Sequence, residues 1–180
     1  MKPRSKFESA VFDANASLRA TMYEQVRAEL LVKTTYKPDL LLPNGLIVEM
    51  KGRHPDLRTA LKKVSLLAYG LRELHGQASR SGDPAPTRTT SPTQGLQGLT
   101  RSSGLSGYTE LIGTHQCPIG VALLSDKQFK LPWSKLSIRD WAVKHRILWA
   151  LGPRIPDAWW SLTSHEDYVR MVEEFIKERQ

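Results

Sequence analysis

The chain has 180 residues and a formal net charge of +8, with 40% apolar and 24% charged residues. This is enough for one domain with its own core, and no apolar run approaches the ~18 residues that a membrane span needs. The opening MKPRSKFES has no apolar stretch of the signal-peptide kind, and a single cysteine, Cys117, excludes an internal disulfide. Both features lead to the expectation of a cytoplasmic protein. The positive charge favours an anionic partner, nucleic acid before membrane. It is spread along the chain, so it has to converge in three dimensions.

Residues Ser5 to Arg19 read as a helix, because Phe7, Val11, Ala14 and Leu18 form one apolar stripe. In MYEQVRAELLVKTTY, the apolar residues Met22, Val26, Ala28, Leu30 and Val32 alternate roughly as in a strand. The same residues would also extend the helix; a strand from about Tyr23 to Thr35 is the expectation taken. Pro38 then stops regular structure or restricts it to a sheet edge. DLLL reads as a short strand, PNG as a tight turn in which Asn44 and Gly45 tolerate positive φ, and LIVEMK as a second strand. Asp56 is placed to cap a helix from Leu57 to His75, with Leu57, Leu61, Val64, Leu67, Ala68, Leu71 and Leu74 on its apolar face and Gly76 as its stop.

Residues 77–107 differ from the rest. Nineteen of these 31 are Gly, Pro, Ser or Thr, and with so little to bury the segment reads as a flexible low-complexity insertion rather than a second domain. Ile119 to Asp126 reads as a buried strand. Ser137 and Asp140 have capping-box-like spacing and start a short helix; RILWALG is a further strand. Thr163 and Glu166 form a second such box, opening a C-terminal helix with Tyr168, Met171, Val172, Phe175 and Ile176 on its inner face. The expected fold is therefore α/β, a mixed sheet flanked by helices. Residues 1–160 form the main domain, interrupted by 77–107, and 161–180 carry the C-terminal helix.

The chemistry concentrates in the hairpin YKPDLLLPNGLIVEMKG, Tyr36 to Gly52. Alternation puts Ile47, Glu49 and Lys51 on one face of the second strand, and antiparallel pairing across the PNG turn sets Asp39 opposite Glu49. Two neighbouring carboxylates repel unless a cation sits between them, and a hard divalent ion such as Mg²⁺ prefers oxygen ligands of this kind. Lys51 on the same face can then orient an attacking water or neutralise charge on a phosphoryl group. The spelling Pro38-Asp39, nine residues, Glu49-Met50-Lys51 is that of the PD-(D/E)xK nucleases. Taken bare it is short and common, and an exposed hairpin with solvated charges competes with it.

Around the bare spelling, the run Tyr36 to Gly52 resembles the core of the bacteriophage T7 endonuclease I family, the Holliday-junction-resolving phage nucleases. That family carries a tyrosine-x-proline-aspartate, an apolar triplet, a PNG turn and a strand ending in glutamate-x-lysine-glycine. VALLSDKQFKLPWSKLSIRDWAVKHRILWA followed by IPDAWW is similar in order and spacing to the family's last strand, basic loop, short helix and ending. The similarity covers roughly residues 5–76 and 119–160.

The resemblance implies a restriction-endonuclease-like core in a strand-exchanged homodimer and an endodeoxyribonuclease that cuts four-way junctions and other branched DNA. Mg²⁺ is the implied cofactor, with Mn²⁺ as a substitute. It implies metal ligation by Asp39 and Glu49, catalysis by Lys51, and a further acidic residue, best matched by Glu8, supplied from the N-terminal helix of the partner chain. The implied products are 5′-phosphate ends, and the implied setting is phage recombination. Lys127 and Lys130 are expected to face DNA phosphates, as are Lys33, Lys37 and Arg53 flanking the hairpin. Other nucleases of the superfamily, cutting duplex DNA, and a basic junction-binding protein that does not cut are the alternatives.

Three features depart from the family. The segment between the first helix and Tyr36 is shorter, the basic N-terminal extension is reduced to Lys2, Arg4 and Lys6, and the insertion has no counterpart. None touches the hairpin. The five histidines (His54, His75, His115, His145 and His165) show no zinc-ligand spacing and read as structural or surface residues. The five tryptophans read as core. No phosphate-cradling Gly-rich loop points to a nucleotide cofactor.

Overall fold

The chain is described by a computed structural model covering residues 5–18, 38–81 and 118–178. The expected strand from Tyr23 to Thr35, Lys33, Lys37, His115, Cys117 and most of the insertion lie outside the described residues.

Helix α1 spans Lys6–Ala14, with Ser5 as N-cap accepting a hydrogen bond from the Glu8 backbone N–H. It is shorter than the expected Ser5–Arg19; a 3₁₀ turn, Ala16–Leu18, follows it. Asn15 explains the stop. Its side-chain amide donates to Val11 O at 2.7 Å and Pro153 O at 3.1 Å, while its Oδ1 accepts from Ile155 N. An asparagine that bonds nearby backbone in this way competes with helix continuation. Val11 and Phe12 are buried, with Phe7 packed beside them, whereas Ala14 of the expected stripe is exposed.

Strands β1 (Leu40–Leu41) and β2 (Leu46–Lys51) form the hairpin, paired antiparallel with Leu40 opposite Val48 and Leu41 opposite Ile47. Gly45 N–H closes the turn on Leu42 O at 2.9 Å, and Gly45 has φ of +88°, a value that glycine adopts without strain. Asn44 does not take positive φ as expected. Instead its side-chain amide donates to Trp159 O at 2.8 Å and Leu162 O at 3.0 Å, and its Oδ1 accepts from Leu46 N. The turn is thereby tied to a distant part of the chain.

Helix α2 runs Leu57–Ser81, and all seven residues of its expected apolar face are buried. It continues past Gly76, contrary to the expected stop. A glycine inside a helix costs roughly 1 kcal/mol against alanine, which does not break a helix anchored by buried Leu71, Leu74 and His75. The first residues of the expected insertion, 77–81, are thus helical. Strand β3 (Gly120–Ser125) pairs parallel with β2, and β4 (Leu148–Leu151) pairs parallel with β3.

Between β3 and β4 lies α3 (Ile138–Lys144), capped by Ser137 Oγ accepting from Asp140 N. After β4 come a short α4 (Asp157–Trp160) and α5 (His165–Lys177). The α5 cap sits one residue later than expected. Ser164 Oγ accepts from Asp167 N, and the Thr163 backbone N–H and hydroxyl donate to the Asp167 carboxylate. Burial of Tyr168 and Val172 sets this register.

The sheet order is β1-β2-β3-β4, a four-stranded mixed sheet flanked by helices. Period-two alternation divides its side chains between two cores. Leu41, Ile47, Val121 and Leu123 pack with α2 and α3. Leu40, Val48, Ala122 and Leu124 pack with α1, α5, Trp159 and Leu162. The C-terminal helix therefore belongs to the same fold as the hairpin. Among the described residues no helix is long and apolar enough to cross a membrane.

Tyr168 lies flat against the start of β3 and donates its hydroxyl to Val121 O at 2.7 Å. A Cβ on Gly120 would come within 2.4 Å of the Tyr168 ring. Gly120→Ala is expected to lower the unfolding free energy by roughly 1–3 kcal/mol through overpacking, measured by urea titration; an unchanged midpoint contradicts this packing.

Candidate metal centre

The hairpin register brings three charged side chains onto one face. Leu41 and Ile47 belong to the core under α2, so Asp39, Glu49 and Lys51, each two or four residues away along its strand, share that face. Lys51 Nζ donates to Glu49 Oε2 at 2.7 Å, to Asp39 Oδ2 at 3.0 Å and to the Met50 carbonyl at 3.3 Å. The Met50 backbone N–H donates to the same Asp39 Oδ2 at 2.7 Å. Asp39 is thus fixed to β2 although β1 itself is only two residues long.

Glu49 is 3% exposed and Lys51 8%, while Asp39 opens more to solvent. Burial by itself would pull the Lys51 pKa down. The Glu49 and Asp39 carboxylates more than offset this and raise it above the ordinary 10.5. The ammonium therefore stays charged in the fold, held by two carboxylates and a carbonyl.

The position in the sheet is informative. β2 and β3 are parallel and end side by side, with Lys51 in register with Ser125. Ligands of open α/β sheets commonly bind beyond the carboxyl ends of parallel strands. The loops that leave this end carry Arg53 after β2 and Lys127 and Lys130 after β3, all exposed. The three described cations expected to meet phosphate thus follow in the chain the two strands that end beside the acidic pair.

Glu8 is placed differently. It lies on α1, whose buried Val11 and Phe12 belong to the opposite core, on the Val48 face. No group of three or more His, Cys, Asp or Glu side chains suited to a metal ion occurs among the described residues.

Three participants escaped the sequence reading. One is the Met50 carbonyl, since backbone oxygens leave no trace in residue identity. Another is Ser125, fully buried in register with Lys51 and accepting from Trp149 Nε1 at 2.9 Å. The third is Asp126, whose carboxylate lies beside Gly52. A serine and an aspartate closing an apolar strand were the available signal.

Two carboxylates, one carbonyl and room for solvent at Asp39 make an all-oxygen donor set. Mg²⁺ is typically held by one or two carboxylates with the remaining positions filled by water or phosphate, so these residues fit it. They offer none of the cysteine or histidine ligands on which zinc sites are built. The ammonium, already held by three oxygens, marks a position where positive charge is stabilised. The described histidines keep the roles expected of them. His75 and His165 stack with ring centroids 4.0 Å apart, and their ring nitrogens lie 2.8 Å from Pro118 O and Ile119 O. His145 packs on Trp141, and His54 is exposed.

No protein-family model, curated protein or solved structure matches this chain. The resemblance to the phage nucleases therefore stands on the hairpin residues and the order of the residues after β3.

The Lys51 ion pair contributes fully to stability below the unfolded lysine pKa near 10.5, and that contribution is lost as pH rises through the higher native value. Tyr168, buried and held up to about 12, acts in the same direction above pH 10. The unfolding midpoint is expected to fall from pH 10 toward 12. In a Tyr168→Phe background the remaining fall should be shallower once Lys51→Met is added; an identical slope would remove Lys51 as its source.

Proposed function

We propose that this protein is a Mg²⁺-dependent endodeoxyribonuclease that cuts branched DNA, four-way junctions above all, as a homodimer with a restriction-endonuclease-like core. The observation that carries the reading is the convergence of Asp39, Glu49 and Lys51 at the ends of two parallel strands, Nζ lying within 3.0 Å of both carboxylates. The resemblance of the surrounding residues to junction-resolving phage nucleases supports it, as does a net charge of +8.

Asp39 and Glu49 hold the cation, for which Mn²⁺ substitutes. When bound there, such an ion would supply polarisation of a phosphoryl oxygen and a more acidic water for the attack. Lys51 supplies positive charge where negative charge grows on the phosphate during attack. Arg53, Lys127 and Lys130 hold backbone phosphates without reading sequence, as a structure-selective enzyme requires; Lys33 and Lys37 belong to the same set. Glu8, on α1, acts toward the site of the partner chain, as the resemblance implies. A two-fold dimer suits a two-fold junction, because two sites reach symmetry-related strands. The setting in this reading is a cytoplasm in which phage DNA recombines.

The test is cleavage of a labelled four-way junction beside a linear duplex of the same sequence, with Mg²⁺ and with EDTA. Metal-dependent cutting of the junction alone is expected. Cutting of the duplex instead would keep a nuclease and discard the junction, and tight junction binding without cutting would make the protein a binding module. Lys51→Ala and Glu49→Ala are each expected to slow single-turnover cleavage by about 100-fold or more while junction binding persists.

Lys127→Gln and Lys130→Gln bear on the phosphate contacts. Each should weaken junction binding about equally for all sequences and reduce the slope of log affinity against log salt by about one. A slope equal to that of the wild type would place these lysines off the DNA.

A further inference from the structure

Lys51 and a divalent cation would draw on the same oxygens. Asp39 Oδ2 already accepts two hydrogen bonds, from Met50 N at 2.7 Å and from Lys51 Nζ at 3.0 Å. The backbone donor is fixed by the β2 ladder. Only the lysine bond can be exchanged, because a carboxylate oxygen has about two lone-pair positions. Lys51 Nζ also lies 2.7 Å from Glu49 Oε2 and 3.3 Å from the Met50 carbonyl. A cation drawing on Asp39 Oδ2 and these oxygens would therefore stand within a few ångströms of the ammonium. Two like charges at such separation in a buried site repel strongly. The lysine stem, by contrast, is long and rotatable, so the ammonium is the group that can move.

We infer that Lys51 and the divalent cation exchange: the cation takes over the Asp39 and Glu49 oxygens, and the Lys51 ammonium is released from them toward the substrate phosphate. This deepens the metal-dependent reading above and rests on it. The exchange couples two events. Until a cation binds, the pair of carboxylates is neutralised by a tethered charge of the chain itself. Once it binds, the same charge is freed to meet a phosphate. Cation affinity is set in part by an internal competitor, and a phosphate that attracts Lys51 favours cation binding in turn, as linkage requires.

The experiment uses Mn²⁺ alone with the full chain and no DNA. Calorimetry gives the cation affinity. Acylation of Lys51 by an amine-reactive ester, read by peptide mass spectrometry against exposed Lys127 and Lys130, reports whether the buried amine has left its partners. In the wild type, Lys51 labelling is expected to rise several-fold on saturation with Mn²⁺ while the two reference lysines do not change. Lys51→Gln and Lys51→Met, which remove the competing charge, are expected to bind Mn²⁺ at least about tenfold more tightly than the wild type. The labelling needs no variant, so a poorly folded Lys51→Met does not decide the matter.

If Mn²⁺ binds but Lys51 labelling stays level, or the Lys51→Gln affinity equals that of the wild type, the exchange is overturned and the metal centre stands. If neither the wild type nor Lys51→Gln binds Mn²⁺, the metal centre itself falls, and the exchange with it.

Discussion

A lysine ammonium held between two carboxylates at the end of a buried strand is the constraint around which this fold is arranged. Removing charge from water costs several kcal/mol per ion unless partners are placed to meet it. Here the partners are met on three sides, by Glu49, Asp39 and the Met50 carbonyl. That placement demands a fixed register between two strands, because a slip of one residue would send Glu49 and Lys51 to the opposite face. β1 is too short to hold such a register alone. The fold supplies the rest through Gly45 in the turn, the Asn44 side chain reaching Trp159 O and Leu162 O, and the Met50 N–H clamped on Asp39.

The same constraint explains the layering. β2 is a central strand, with Val48 packed on one face and Ile47 on the other. Both faces are closed by helices, which keeps water from the inner part of the charged group. Only Asp39, at the open end, retains substantial solvent contact. The arrangement combines a low-dielectric wall, where electrostatic interactions are strong, with a carboxylate that reaches solvent. The exposed cations Arg53, Lys127 and Lys130 follow the carboxyl ends of β2 and β3.

Much of this was legible in the chain, for local reasons. Period-two alternation and the PNG turn were enough to place Asp39 opposite Glu49 and to put Lys51 on the same face. The seven residues that the 3.6-residue period placed on the inner face of α2 are all buried, and Gly70 and His75 join them. Errors fell at boundaries, where tertiary contacts compete with local preference. Asn15 stopped α1 early by bonding to Val11 O and Pro153 O, and helix α2 passed through Gly76 because buried residues anchor its end. Ser164 displaced Thr163 as a cap because its Oγ accepts from Asp167 N, while Thr163 instead donates to the Asp167 carboxylate.

What the sequence determined by itself was therefore the identity of the charged set and the strand face it occupies, since both follow from short-range geometry of a single hairpin. Only the tertiary structure decided how deeply Glu49 and Lys51 are buried, that the Met50 carbonyl joins them, and that Ser125 lies beside Lys51. It also decided that α1, which carries Glu8, packs on the other layer of its own chain. These outcomes depend on the parallel pairing of β2 with β3 and on helices packed across both faces. Such contacts join residues far apart in the chain, and their free energy comes from burial that no local pattern specifies.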